Sequence, residues 1–169
     1  PFSVFKPTCL GKYDLFKKKS DNIKFTPKEL IEWNKIINRF DRVCAESVKQ
    51  NVRVLIDAEE KEVQGAIDQL ALKMMEKYNH KDVFVYNTVQ MYRHDRLFYL
   101  KNLIKQKTEN FILGIKLVRG AYMEKERVIA KKNNTQSPIC KNKKETDNNY
   151  DLAIDFLFDN LNKVNVFIA

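Results

Sequence analysis

Apolar residues in this chain change their spacing several times, and each change marks an element boundary. Residues 3–11, SVFKPTCLG, form a short extended run stopped by Pro7 and Gly11. TPKEL then supplies Thr26 as a helix N-cap, Pro27 at the first helical position and Glu29 three residues on, the pattern of a capping box. Leu30, Ile36, Ile37, Phe40, Val43, Cys44 and Val48 continue at helical spacing as far as Lys49, and VRVLID, 52–57, follows as a β-branched run of strand length. From Glu59 onward, Val63, Ile67, Leu70, Met74 and Tyr78 trace a second amphipathic helix, which leads to VFVYN at 83–87. A third helix carrying Leu97, Leu100, Leu103 and Ile104 leads to GIKLVRGAY at 114–122. The polar stretch 124–144 reads as a loop; beyond it Tyr150, Ile154, Leu157, Phe158 and Leu161 predict a helix, and VNVFI a last strand.

Strands that alternate with helices pair in parallel through right-handed crossovers, which leaves a doubly wound sheet or a (β/α)8 barrel as the common closures. A doubly wound dinucleotide fold needs a glycine-rich turn after a strand, and with only 4 Gly the chain has no GxGxxG. The fold expected is therefore α/β, a TIM-like (β/α)8 barrel. A complete barrel takes about 250 residues, so the barrel is incomplete here, with about five parallel strands near 3–6, 52–57, 83–87, 114–119 and 164–168. Residues 1–169 read as a single domain, and the absence of an initiator methionine and the strand-like VNVFIA at the end read as a piece of a longer chain.

Composition removes several function classes. With 44% hydrophobic and 31% charged residues the chain can bury a core, so disorder is not expected. The net charge of +9 raises the question of an anionic partner. Its Lys and Arg are scattered without interleaved aromatics, which reads as a solvated surface with no nucleic-acid partner. Cys9, Cys44 and Cys140 form no CxxC pair, so neither a disulfide framework nor a zinc site is expected, and a reducing compartment fits. His80 and His94 fall in a loop and at a helix start, where solvated side chains are expected; no Ser/His/Asp or Cys/His set accompanies them. No apolar run reaches the roughly 18 residues of a membrane span.

What remains is a set of polar residues in places where a core is expected. Lys6, Asp57, Asn87, Lys116 and Arg119 lie on or just past predicted strands, and barrel enzymes carry their chemistry at the C-terminal ends of strands. Each has a structural alternative: Lys6 or Lys116 as an ion-pair partner of Asp57, and Asn87 as a helix cap. Three functions fit the pattern. Cations at strand ends suit an anionic or electron-rich ligand; a buried Lys6 or Lys116 suits a Schiff-base aldolase; the basic surface suits a polyanion-binding module.

Longer motifs carry a resemblance. VLIDAEE (54–60), YNTVQMYRHDRLFYL (86–100), KLVRGAYMEKER (116–127), FKPTCLG (5–11) and TDNNYD (146–151) resemble, in order and spacing, successive motifs of the proline dehydrogenase family, with the monofunctional members nearest. The resemblance implies a flavoenzyme that oxidises L-proline to 1-pyrroline-5-carboxylate by hydride transfer to N5 of FAD and passes electrons to a membrane quinone. It implies Asp57, Lys116 and Lys6 as catalytic residues, and Asn87, Lys116, Val118, Arg119, Gly120, Ala121 and Tyr122 as contacts of the cofactor, with no metal. Lys116 stands where many bacterial members have Arg, a substitution that removes the planar fork. By the same resemblance the segment begins at the family's second strand and stops before the strand and helix whose paired arginines bind the proline carboxylate. The implied location is the bacterial cytoplasm with peripheral contact at the inner membrane, the mitochondrial matrix and inner membrane being the alternative.

Overall fold

The structure is a computed structural model that describes residues 1–106 and 110–169. Its elements follow the hydrophobic spacing closely. β1 (Phe2–Phe5) is followed by a 3-10 turn (Pro7–Leu10) and a short helix α1 (Tyr13–Ser20). Then come α2 (Pro27–Lys49), β2 (Arg53–Ile56), α3 (Lys61–Tyr78), β3 (Val85–Gln90) and α4 (Arg96–Gln106). β4 (Leu113–Val118), α5 (Met123–Lys132), α6 (Lys143–Phe158) and β5 (Val164–Ile168) complete the order.

α2 starts where the capping box predicts: Thr26 Oγ1 accepts from the Glu29 amide, and the Glu29 carboxylate accepts from the Thr26 amide at 2.9 Å. Two otherwise orphaned amides are satisfied reciprocally. Its buried residues Trp33, Ile36, Phe40, Cys44 and Ser47 recur every three or four positions, one face of a 3.6-residue helix. Helix ends use asparagine where glycine is customary. Asn22, Asn51 and Asn134 take φ values of 54°, 53° and 51° directly after α1, α2 and α5. In each case the asparagine amide bonds back to the carbonyl three residues earlier, and the next amide to the one five residues before it, as in Ile23 to Lys18, Val52 to Ser47 and Thr135 to Ala130. That is the Schellman arrangement, and asparagine tolerates its left-handed residue. A chain with 4 Gly can thus stop three helices without spending any of them.

The five strands form one sheet in the order β1-β2-β3-β4-β5. β1 pairs with β2 and β2 with β3 in parallel, with Phe5 opposite Ile56 and Ile56 opposite Asn87. A doubly wound sheet reverses its strand order at a switch point; the order here runs strictly in sequence, as in a barrel. All six residues of β3 are buried, as expected of a parallel strand covered on both faces.

Two compact units divide the chain: Pro1–Asn87 with Asn110–Gly114, and the rest of the described residues. The core of the first combines Phe16, Ile36 and Phe40 with Ile56, Ile67 and Met74; Phe16 meets Trp33 edge-on at 5.5 Å. In the second, Leu100, Ile115, Leu117, Ala153 and Leu157 are fully buried.

Three features differ from the sequence reading. α1 and the 3-10 turn occupy a stretch without a predicted helix; α1 is only 8 residues long and buries just Leu15 and Phe16, too few to show a period. The predicted loop 124–144 contains α5, a helix whose buried residues are Glu126 and Ala130 alone. β3 runs on to Gln90, so Asn87 lies within the strand and not at its end.

Candidate active site at the strand ends

In the first unit, Lys6 and Asp57 are the residues that directly follow β1 and β2, and parallel pairing sets them side by side. The Asp57 amide donates to the Phe5 carbonyl at 3.0 Å, and Lys6 Nζ meets Asp57 Oδ2 at 3.2 Å. The side chains are 49% and 22% exposed, so the pair faces solvent at the exits of the two strands. Beneath it lies a network the sequence reading missed. Glu59, 5% exposed, accepts at 2.8 Å from both the amide and the hydroxyl of Thr8. Its own amide donates to Gln64 Oε1 at 2.9 Å; Gln64 Nε2 in turn donates to Asp68 Oδ1 at 2.9 Å. Asp68 also accepts from Asn87 Nδ2 at 2.8 Å. The available signal was the spacing of Gln64 and Asp68, four residues apart beside Val63 and Ile67 on the inward face of α3.

Asn87 thus belongs to the network around Asp68. Strand alternation sends Val85, Asn87 and Val89 to one face of β3 and Tyr86, Thr88 and Gln90 to the other. Asn87 turns to the α3 side, where it holds Asp68. Gln90, the last residue of the strand and 4% exposed, has its Oε1 3.3 Å from the Ala121 amide, which donates to it.

β4 alternates in the same way. Leu113, Ile115 and Leu117 are fully buried, whereas Lys116 and Val118 on the opposite face are half-buried. Lys116 thus sits on the less buried face of β4. After the strand, Arg119, Gly120 and Ala121 are exposed and Tyr122 half-buried. The exit is anchored to that of β3, because the Met91 and Tyr92 amides donate to the Val118 and Arg119 carbonyls at 2.8 and 2.6 Å. Gly120 has φ 136° and packs on the ring of Tyr92, where an added Cβ would lie 2.5 Å from the ring carbons. Only glycine satisfies both the conformation and the close approach. Burial, with Glu126 close by, pushes the Tyr92 phenol well above its ordinary pKa.

Arg119 leans away from the strand toward α6. Its Nε donates to Asp147 Oδ1 at 2.7 Å, and its guanidinium carbon lies 4.2 Å from the centroid of the Tyr150 ring. The Arg119 guanidinium, then Lys143, hold the Asp147 carboxyl below its usual range. Among the described residues no group of three or more His, Cys, Asp or Glu could hold a metal ion, and no helix is long and apolar enough to cross a membrane. His80 and His94 are exposed, as expected.

Comparison with known proteins shows the family and the fold. The profile of the proline dehydrogenase family matches residues 6–169, and the chain belongs to that family. It is 32% identical over 170 aligned residues to the carbapenem antibiotics biosynthesis protein CarD of Pectobacterium carotovorum subsp. carotovorum, covering 100% of this chain and 44% of that protein. Mitochondrial proline dehydrogenase 1 of Dictyostelium discoideum is 33% identical over 162 residues, 92% of this chain and 28% of the relative. Proline utilization A from Bdellovibrio bacteriovorus, solved after inactivation by N-propargylglycine, superposes with a TM-score of 0.82 at 21% identity, over 98% of this chain and 16% of that one. The likeness shows the fold, that of a (β/α)8 barrel. The chain spans less than half the length of each of these relatives.

Proposed function

We propose that the longer protein these residues belong to oxidises L-proline to 1-pyrroline-5-carboxylate, with FAD as cofactor and a membrane quinone as electron acceptor, the 169 residues forming part of a single FAD-binding barrel domain. The observation that carries the reading is the family match across 6–169. The residues present fit a flavin dinucleotide. After β4 the backbone is exposed at Arg119, Gly120 and Ala121, kept open by the glycine over Tyr92, and two cations flank it. A planar ring that gains negative charge on reduction, joined to a phosphate chain, suits such a surface.

FAD, when bound, supplies the acceptor for the hydride that leaves C5 of proline. Lys116 stabilises negative charge that develops beside β4. Asp57 orients the substrate and Lys6 holds Asp57, so that the carboxylate does not reorganise as the reaction proceeds. Val118, Arg119, Gly120, Ala121 and Tyr122 line the cofactor, and Gln90 takes the amide role expected of Asn87. Quinone reduction requires a peripheral encounter with a membrane, in the bacterial cytoplasm or, as in the Dictyostelium relative, a mitochondrion. The aldolase reading is not favoured: Lys6 is half-exposed and paired with a carboxylate, whereas Schiff-base chemistry uses a desolvated amine. Nor is the polyanion module, since surface lysines such as Lys17, Lys35 and Lys77 are tied to acidic neighbours.

The test uses the full-length protein under anaerobic conditions. L-Proline should bleach the flavin absorbance and yield a product trapped by o-aminobenzaldehyde. Asp57→Ala should lower turnover by orders of magnitude with the fold intact, and Lys116→Met should keep flavin but slow its reduction and make the midpoint potential more negative. Purified protein without flavin, or flavin that proline leaves oxidised, would overturn the reading.

A further inference from the structure

TDNNYD is the one family-like motif to which no role in binding or chemistry has been attached. Three of its residues, Asp147, Asn149 and Tyr150, reach back to the strand exits of their own unit, and a fourth, Thr146, closes the start of the helix. Asn149 Nδ2 donates at 3.3 Å to the Met91 carbonyl and at 3.3 Å to that of Arg93, both just past β3. Tyr150 Oη donates to the Ala169 carbonyl after β5 at 3.0 Å, and the Ala169 amide donates to Leu117 of β4 at 3.1 Å. Thr146, 9% exposed, donates to the Asn142 carbonyl and closes the first turn of α6. Asp147 and Tyr150 together grip Arg119: one bonds Nε, the other supplies a ring beneath the guanidinium plane.

This grip is selective. Among the described contacts Asp147 Oδ1 engages the guanidinium only at Nε, on its stem side, while Oδ2 accepts from Lys143 Nζ. Both terminal nitrogens are left at the outer edge of a side chain that is 47% exposed. Arginine–carboxylate pairs are frequently two-pronged, as Arg93 is toward Asp95 through Nε at 3.0 Å and Nη2 at 2.6 Å; Arg119 keeps its second prong for another partner. A guanidinium held by its inner edge and one face is a preset fork for a second, external anion, and phosphate matches it.

We propose that Asp147 and Tyr150 are positioning residues that present the terminal nitrogens of Arg119 to the phosphate groups of the dinucleotide cofactor. This rests on the functional reading above. Neither residue touches the cofactor; both act through Arg119.

The experiment titrates flavin-free full-length protein with two probes, FAD and riboflavin, which differ in phosphate. Asp147→Asn should weaken FAD binding about tenfold, the loss expected of one misplaced charge-assisted hydrogen bond, and leave riboflavin binding unchanged. Asp147→Glu should recover part of the loss. In an Arg119→Met background, which is itself weakened toward FAD, Asp147→Asn should have no additional effect on FAD affinity. Unchanged FAD affinity in Asp147→Asn would overturn the proposal, as would an equal loss for both probes or an additive loss in the double variant. Failure of the parent protein to bind either flavin would instead overturn the functional reading, and this inference with it.

Discussion

Asn87 and Gln90 are three positions apart on β3, an odd interval that puts them on opposite faces. One amide holds Asp68 on α3; the other meets the Ala121 amide at the exit of β4. Removing each should therefore have opposite consequences. Asn87→Ala strips a donor from a buried carboxylate and should lower unfolding free energy by about 1–3 kcal/mol, with flavin content per folded molecule unchanged. Gln90→Ala should lower flavin content with a smaller effect on stability. Urea denaturation and flavin absorbance of the same preparations read both, and the reverse outcome would return the cofactor role to Asn87. At this scale the sequence was legible where a residue directly follows a strand, as Lys6 and Asp57 do, because parallel pairing brings such residues together whatever their side chains. It was illegible at Asn87, since which face a residue takes depends on where the strand ends, and VFVYN gives no sign that the strand continues through Thr88, Val89 and Gln90. The burial of Glu59 follows from Thr8, more than 50 residues earlier in the chain, which no local pattern exposes.

Elements were readable in proportion to the apolar area they bury. β2 and β3 are buried along nearly their whole length and stand out as β-branched runs, whereas α5 buries two residues and has the composition of a solvated loop. Packing, not propensity, decides such a helix. The stop of α2 at Lys49 was legible from the change of apolar spacing and not from a cap, because a chain that ends helices on asparagine looks as if it lacks C-terminal signals. The left-handed conformation is costly for any residue with a Cβ, and asparagine lessens the cost through local hydrogen bonding of its short polar side chain. Asn51 is the clearest case, because it turns α2 directly into β2 through the Val52 to Ser47 bond. Asn51→Ala should lower stability by about 1 kcal/mol and Asn51→Gly should leave it equal or higher. Thermal melts of the full-length protein separate these outcomes. Equal loss in both variants would mean that the asparagine side chain, not its backbone freedom, matters.

At the scale of the molecule, the sheet order makes β1 and β5 the outer strands of the five. Both carry apolar side chains toward solvent: Phe2 and Val4 are 51% and 55% exposed, and Ile168 is 45% exposed. Parallel sheets in barrels are covered on both faces and have no free edge, and we propose that these side chains belong to a surface that other elements cover. The relatives supply the length for that, since the chain spans 44% of CarD and 28% of the Dictyostelium enzyme. The charge cannot compensate, because β1 and β5 carry none of the +9 excess. Residues 1–169 expressed alone should then retain α/β circular dichroism, bind a hydrophobic dye such as ANS, and associate at micromolar concentration without holding flavin. The full-length protein should be yellow, sharply melting and free of dye binding. Monodisperse, cooperatively melting, flavin-loaded material from residues 1–169 would show that the strand-end residues in this segment suffice for cofactor binding, and that Phe2, Val4 and Ile168 are ordinary exposed side chains.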